Sequence, residues 1–354
     1  MAQTQLKAVS ETLNSHLLER LGMFAYKCLK TEGYIEIAQK LASSEDLSRA
    51  EIERLANEAR LPILAKLVEL VSSIKPAKEV KLRPLLSLSL EDIAQESSFE
   101  DKLQCFSDTI DKIDQNLSYS GPIFIRLDSW ITEGSLSEKL SLLKQAVVSK
   151  TERVNKFKVL SPSSADIKKL LAKGDIEDIS EVFSALLENG IDTIEGGCGL
   201  DVHFKAAEKG MKLVIGQEVQ SIADSGANHQ AYFSDAFIDL LISIKELSES
   251  GLVEHWFPFT SKNSDTSIHD NQPLGAQMLR AVALGRLVLR DVDYIRAPLT
   301  MLGVKLSTAA QSFGANDLGF AAVDSRTSEK LGLIKMSDIQ GLVESDFSYR
   351  HVTV

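Results

Sequence analysis

Short apolar runs alternate with amphipathic helical stretches along most of this chain. The first seventy-five residues differ and are helical throughout in pattern. Leu13, Leu17, Leu18, Leu21 and Phe24 fall on one helical face. Ser48-Arg49-Ala50-Glu51 carries the capping-box signature of a helix start. Pro62 suits the first turn of the next helix, where a missing N–H costs no intrahelical bond. Ile63, Leu64, Leu67, Val68 and Val71 give that helix its apolar stripe, and Pro76 marks the exit.

After Pro76 the pattern predicts eight strands: Val80–Leu86, Ile123–Leu127, Lys156–Leu160, Ile191–Glu195, Met211–Gly216, Val253–Phe257, Tyr294–Ala297 and Leu318–Val323. Helical segments separate most of them, at Ser137–Val148, Glu181–Glu188, Ser234–Ser248, Leu274–Leu289 and Val304–Ser312. Gly190, Gly210 and Gly251 follow helix ends, where a left-handed residue is wanted. Parallel neighbours need crossover connections, so this alternation predicts an α/β fold, a (β/α)8 TIM-type barrel with N-terminal peripheral helices. An open doubly wound sheet is the rival. The expected organisation is a helical extension over 1–76 packed on a barrel over 77–354.

Composition narrows the classes. The chain has 354 residues, 44% of them hydrophobic, which is ample for a large core. Its net charge is −11 and no basic stripe is visible, which argues against a nucleic-acid partner. Met1–Ser10 has no apolar core of the signal-peptide kind. No run approaches the roughly 18 apolar residues that span a membrane. Three cysteines, Cys28, Cys105 and Cys198, cannot all pair and match no disulfide framework. The expectation is a cytoplasmic protein.

Several stretches carry candidate chemistry. Glu195-Gly196-Gly197-Cys198-Gly199 ends the fourth strand. Gly196, Gly197 and Gly199 allow close backbone approach, either as a ligand cradle at the C-terminal barrel face or as a tight turn. Trp256 and Phe259 flank Pro258, where they could stack on an aromatic ligand or plug the barrel mouth. Asn316 and Asp317 follow Gly314-Ala315 and read as ligand hydrogen-bonding groups or as an Asx-type turn. Glu195, His255, Asp317 and Asp324 are the candidate acids and bases. The six histidines show no metal-ligand spacing, so no metal site is expected. Arg280 and Arg286 lie six apart on one helix and point to different faces, so at least one is expected on the surface or beside a carboxylate.

Together the EGGCG stretch, Trp256-Phe257-Pro258-Phe259, QMLRAVALGRLVLRD over 277–291, Met301–Leu306 and Phe313–Asp317 resemble one family. It is the radical S-adenosylmethionine (SAM) enzymes of the futalosine route to menaquinone, of the aminofutalosine synthase type and close to the dehypoxanthine futalosine cyclase. The resemblance covers most of the chain, including Ile37–Leu41, and is strongest from Gly190 onward. It implies a barrel, a 4Fe-4S cluster and SAM. The family's cluster is held by a CxxxCxxC loop after the first strand, because the iron needs clustered thiolates.

This chain departs from the family at the cofactor. Its cysteines are each more than seventy residues apart. The place of the cluster loop reads Leu82-Arg83-Pro84-Leu85-Leu86-Ser87-Leu88-Ser89-Leu90 and runs into Glu91-Asp92-Ile93. Arg126-Leu127-Asp128-Ser129-Trp130 stands where the family has a glycine pair beside the SAM amino group. The expectation is therefore a degenerate member, a pseudoenzyme without cofactor, that binds a small molecule in the barrel mouth, an active paralogue or a second copy of itself. The competing expectation is an enzyme using the same pocket for non-radical acid/base chemistry.

Overall fold

The computed structural model describes residues 2–88, 122–127, 157–172, 178–196, 200–219, 233–260, 275–339 and 352–353, with scattered positions between 98 and 141. Four helices come first: α1 Ala2–Thr31, α2 Ile35–Ala42, α3 Arg49–Asn57 and α4 Leu61–Ile74. Ser48 caps α3 through the backbone N–H of Glu51, and the Glu51 carboxylate accepts back from the Ser48 N–H at 2.7 Å. Pro62 sits in the first turn of α4.

The strands follow in order: β1 Val80–Leu88, β2 Ile123–Leu127, β3 Phe157–Val159, β4 Thr193–Gly196, β5 Lys212–Glu218, β6 Val253–Phe259, β7 Tyr294–Ile295 and β8 Asp317–Ala322. A short β9, Val352–Thr353, pairs with the start of β1. All eight expected strands are present with ends shifted by at most two residues. Between them lie α5 Ser164–Ala172, α6 Ile179–Glu188, α7 Leu200–Glu208, α8 Asp235–Ser248, α9 Gly275–Val288 and α10 Leu299–Gln311, and α11 Ser325–Leu331 follows β8. Gly190, Gly210 and Gly251 do adopt positive φ, between 72° and 78°. The expected helix Ser137–Val148 lies mostly outside the described residues, as does the Glu91-Asp92-Ile93 stretch.

Every ladder is parallel. The strands form two half-sheets, ordered β3-β2-β1-β8 and β4-β5-β6-β7. A parallel bridge between Arg296 and Asp317 joins β7 to β8. The result is an arc of eight strands in sequence order, the TIM-barrel-type arrangement with helices outside. At its other seam the described link is the Glu195 N–H donating to Ser161 Oγ at 3.3 Å, not a ladder.

The helices bury one continuous apolar layer against the strands. Leu55, Leu64, Leu67 and Leu70 of α3 and α4 share a core with Val282, Leu284 and Leu287 of α9 and Ile215 of β5. α9 is buried nearly all round because the N-terminal helices cover its outer face. Arg280 and Arg286 therefore depart from expectation. Both are buried, and both donate to backbone carbonyls. Arg280 donates to the carbonyls of Leu55 and Ala59, tying α9 to the N-terminal helices. Arg286 donates to the Gly314 carbonyl at 3.0 Å, the Val292 carbonyl at 3.2 Å and Asn316 Oδ1 at 2.7 Å. Among the described residues, no helix is long and apolar enough to cross a membrane.

Candidate functional site

Five strands deliver charged or ionisable side chains to the interior of the arc. They are Arg83 on β1, Glu195 on β4, His255 on β6, Arg296 just past β7 and Asp317 at the start of β8. Alternation along a strand puts every second side chain on one face. Arg83 is the fourth residue of β1, two along from Lys81 and so on the same face, and His255 alternates with the outward-facing Trp256.

A bulge places Asp317. Lys81 pairs with Asp317 and Arg83 with Phe320, so β8 carries an extra residue between them. Gly319 takes φ +84° there, a conformation that side chains resist. Its N–H donates to Asp317 Oδ1 at 2.9 Å, closing an Asx-type turn. The extra residue lets Asp317 and Phe320 both face inward.

Asp317 is fully buried and is the hub of the cluster. Its Oδ2 accepts from Arg83 Nη2 at 3.0 Å and from Arg296 Nε at 2.8 Å, with His255 Nδ1 at 3.1 Å. Arg296 Nη1 also donates to Glu195 Oε1 at 2.6 Å. Burial alone would raise the Asp317 carboxyl, but the two guanidinium charges and the His255 hydrogen bond hold it well below the usual carboxylate range. Burial likewise opposes the Arg296 charge, and Asp317 and Glu195 more than offset it, so its pKa rises. Arg83 is pulled down by burial, only partly compensated by Asp317.

Burial pushes His255 down to about 4, so the ring is neutral at pH 7. Arg83 Nη2 also lies 3.1 Å from His255 Nε2. The guanidinium lies at the same 3.1 Å from Nδ1; the tautomer that satisfies every partner has Nδ1–H donating to Asp317 and Nε2 accepting from Arg83. The cluster then holds two cations and two anions and carries no net charge. Aromatic rings line it. Arg296 lies 5.1 Å from the ring centres of both Phe257 and Phe320.

This cluster forms the inner wall of a cavity of about 430 Å³. The cavity reaches from there to the N-terminal rim of the strands, at Lys78, Asp192, Lys212 and Asp293.

Three of the four candidate acids and bases therefore converge: Glu195, His255 and Asp317. Asp324 does not join them. It caps α11, accepting from the Thr327 N–H at 2.7 Å, while the Thr327 hydroxyl accepts from the Ser87 N–H of β1. Of the expected ligand-binding residues, Gly196 ends β4, while Gly197 and Gly199 lie outside the described residues. Trp256 is fully buried behind β6, donating from Nε1 to Gln217 Oε1 at 3.1 Å. Asn316 is buried too. Its Oδ1 accepts from Arg286 and from the Ile295 N–H, and its Nδ2 donates to the Asp293 carbonyl. Trp256 and Asn316 thus serve the wall of the arc.

Sequence reasoning did not assign Arg83 and Arg296 to a site. The available signal was a lone arginine inside each of two apolar strand runs, at an inward position.

The residues do not fit the cluster that the family resemblance implies. Cys28 is half-buried in α1, packed within the outer helix layer. Cys105 and Cys198 lie outside the described residues, and the chain offers no three thiols in one loop. Among the described residues, no group of three His, Cys, Asp or Glu could hold a metal ion.

No protein-family model matches the sequence, and no curated protein matches it. Solved structures do share the fold. The FeFe-hydrogenase maturase HydG from Carboxydothermus hydrogenoformans is 16% identical with a TM-score of 0.51, over 88% of this chain and 75% of that one. Another HydG structure, also a maturase of the FeFe-hydrogenase, is 12% identical with a TM-score of 0.55, over 86% and 71%. Methylornithine synthase (PylB) is 12% identical with a TM-score of 0.51, over 86% and 99%. This chain shares its α/β fold with these maturases and this synthase.

Proposed function

We propose that this protein is a closed (β/α)8 barrel related to aminofutalosine synthase that serves menaquinone synthesis by the futalosine route. In this reading it acts as a ligand-binding or partner protein and carries neither the 4Fe-4S cluster nor SAM radical chemistry. The barrel spans 77–354, and the helices of 1–76 pack on it. Its partner is an active paralogue or a second copy, in the cytoplasm. One observation carries the loss of radical chemistry. The fold resembles that of radical SAM enzymes, yet the three cysteines are more than seventy residues apart in sequence and Cys28 belongs to an outer helix. A cluster requires thiolates gathered around iron. The pathway assignment rests on the order of the EGGCG, WFPF, QMLRAVALGRLVLRD, MLGVKL and FGAND stretches.

The test is anaerobic reconstitution with iron and sulfide, followed by an iron count and a SAM titration. The expected result is neither stoichiometric iron nor SAM binding. A stoichiometric cluster with SAM affinity would overturn the reading. The partner role is checked by gel filtration with an active aminofutalosine synthase, where unchanged elution of both proteins counts against it.

A second reading is non-radical acid/base catalysis in the same interior. The observation that favours it is that Glu195 and His255 both line the cavity. Against it, Asp317 already accepts four hydrogen bonds and the free His255 lone pair faces Arg83. If turnover of any futalosine-pathway intermediate is found, Glu195→Gln should abolish it without unfolding the protein.

A further inference from the structure

In a TIM-type barrel the N-terminal ends of the strands ordinarily serve stability, and ligands bind at the opposite face. Here the cavity of about 430 Å³ lies at the N-terminal end, and its charges are unevenly matched. Six lysines and arginines line it against four carboxylates, with the Asp317 carboxylate behind the wall as a fifth. Every one of those carboxylates is already paired. Glu195 holds Arg296, Asp293 holds Lys78, and Asp192 and Glu254 share Lys212. Lys81 and Lys158 have no carboxylate partner among the described residues. The Lys81 ammonium instead lies 3.9 Å from the centre of the Tyr294 ring. The chain as a whole carries −11, so this locally cationic wall runs against the average.

The uncharged part of the wall sets Phe124, Phe157, Tyr294, Phe320 and Val214 beside the polar Asn189 and Thr193. A half-buried ammonium gains most from an anionic acceptor, because charge-assisted hydrogen bonds are about twice as strong as neutral ones. Aromatic walls gain from an apolar body that displaces water. A ligand that satisfies both has one charged head on an apolar body.

We propose that this cavity binds a small organic anion, a carboxylate or a phosphate ester, with Lys81 taking the head and Lys158 as the second cation of the wall. The site lies away from the C-terminal mouth, and it stands or falls independently of the cluster question.

The test is calorimetric titration of the full chain at low salt with four probes: phenylacetate, phenyl phosphate, benzyl alcohol and inorganic phosphate. At least one of the two organic anions should bind saturably, and which one binds tighter distinguishes a carboxylate from a phosphate ligand. Benzyl alcohol should not bind. Lys81→Met should weaken the tighter anion about tenfold, the scale of one lost charge-assisted bond. Lys158→Met, at an exposed position, should weaken it less and keeps the test valid if the Lys81 variant misfolds. Lys66→Met, far out on α4, should change nothing. The proposal is overturned if neither organic anion saturates, or if neither cavity variant weakens binding. It is equally overturned if inorganic phosphate binds as tightly as phenyl phosphate, since the apolar wall would then contribute nothing.

Discussion

Arg296 and Asp317 are joined twice. Their backbones form the bridge that connects β7 to β8, with the Ala297 N–H donating to the Asp317 carbonyl at 2.7 Å. Their side chains pair in the interior, Nε to Oδ2 at 2.8 Å. One residue pair thus closes the seam between the half-sheets and anchors the buried cluster. Arg286 supports the same seam from α9, through Gly314 and Asn316.

Asp317→Ala should be severely destabilising. It leaves two buried guanidinium groups without their shared carboxylate, and removing one partner of a buried ion pair costs about 3–5 kcal/mol. Urea unfolding followed by circular dichroism measures this. A loss below roughly 1 kcal/mol would mean that water reaches the cluster and compensates the charges.

His255 should make stability fall with acidification. Its folded pKa is about 4, below the roughly 6.5 of an unfolded histidine. The unfolded chain therefore binds the proton first, and the stabilisation is complete above about pH 6.5 and is lost as pH falls towards 4. The full contribution is about 3 kcal/mol. Unfolding midpoints at pH 7, 6 and 5 should decline in the natural chain, and His255→Gln should flatten that slope.

Gly285→Ala should strain the barrel wall. A Cβ at this position would lie 2.3 Å from the Trp256 ring, so helix and strand must separate. Overpacking of this kind costs about 1–3 kcal/mol. The contribution of Trp256, one of two tryptophans, to the near-ultraviolet circular dichroism should change with it, and an unchanged spectrum with unchanged stability would refute the close approach.

Arg286→Met keeps the aliphatic stem but leaves the Gly314 and Val292 carbonyls and Asn316 Oδ1 without their donor. Buried acceptors left unsatisfied cost about 1–3 kcal/mol each at most. Limited proteolysis should then cut near Gly314 before global unfolding, because this residue fastens the chain that enters β8.

Much of the fold was legible along the chain. The eight strands appeared as short apolar runs, and β4, β5, β6 and β8 each pack against a helix. The capping box at Ser48 and the proline at position 62 marked helix starts through purely local bonding. The roles of Asp324 and Thr327 were missed in part because a helix cap and a base candidate use the same carboxylate. Trp256 read as a stacking residue or as a plug of the barrel mouth; strand alternation points it outward, where Gly285 makes room for it.

What the sequence determined by itself was local: where strands and helices fall, and the absence of three clustered thiols. Periodicity and spacing act over a few residues, so these features need no tertiary contact. The convergence of Arg83, Glu195, His255, Arg296 and Asp317 was decided only by the arc, which draws together strands up to 234 residues apart. The balance of their charges, the neutrality of His255 and the cavity at the N-terminal rim follow from that arrangement. They depend on burial and on distances between side chains, and no local pattern encodes either.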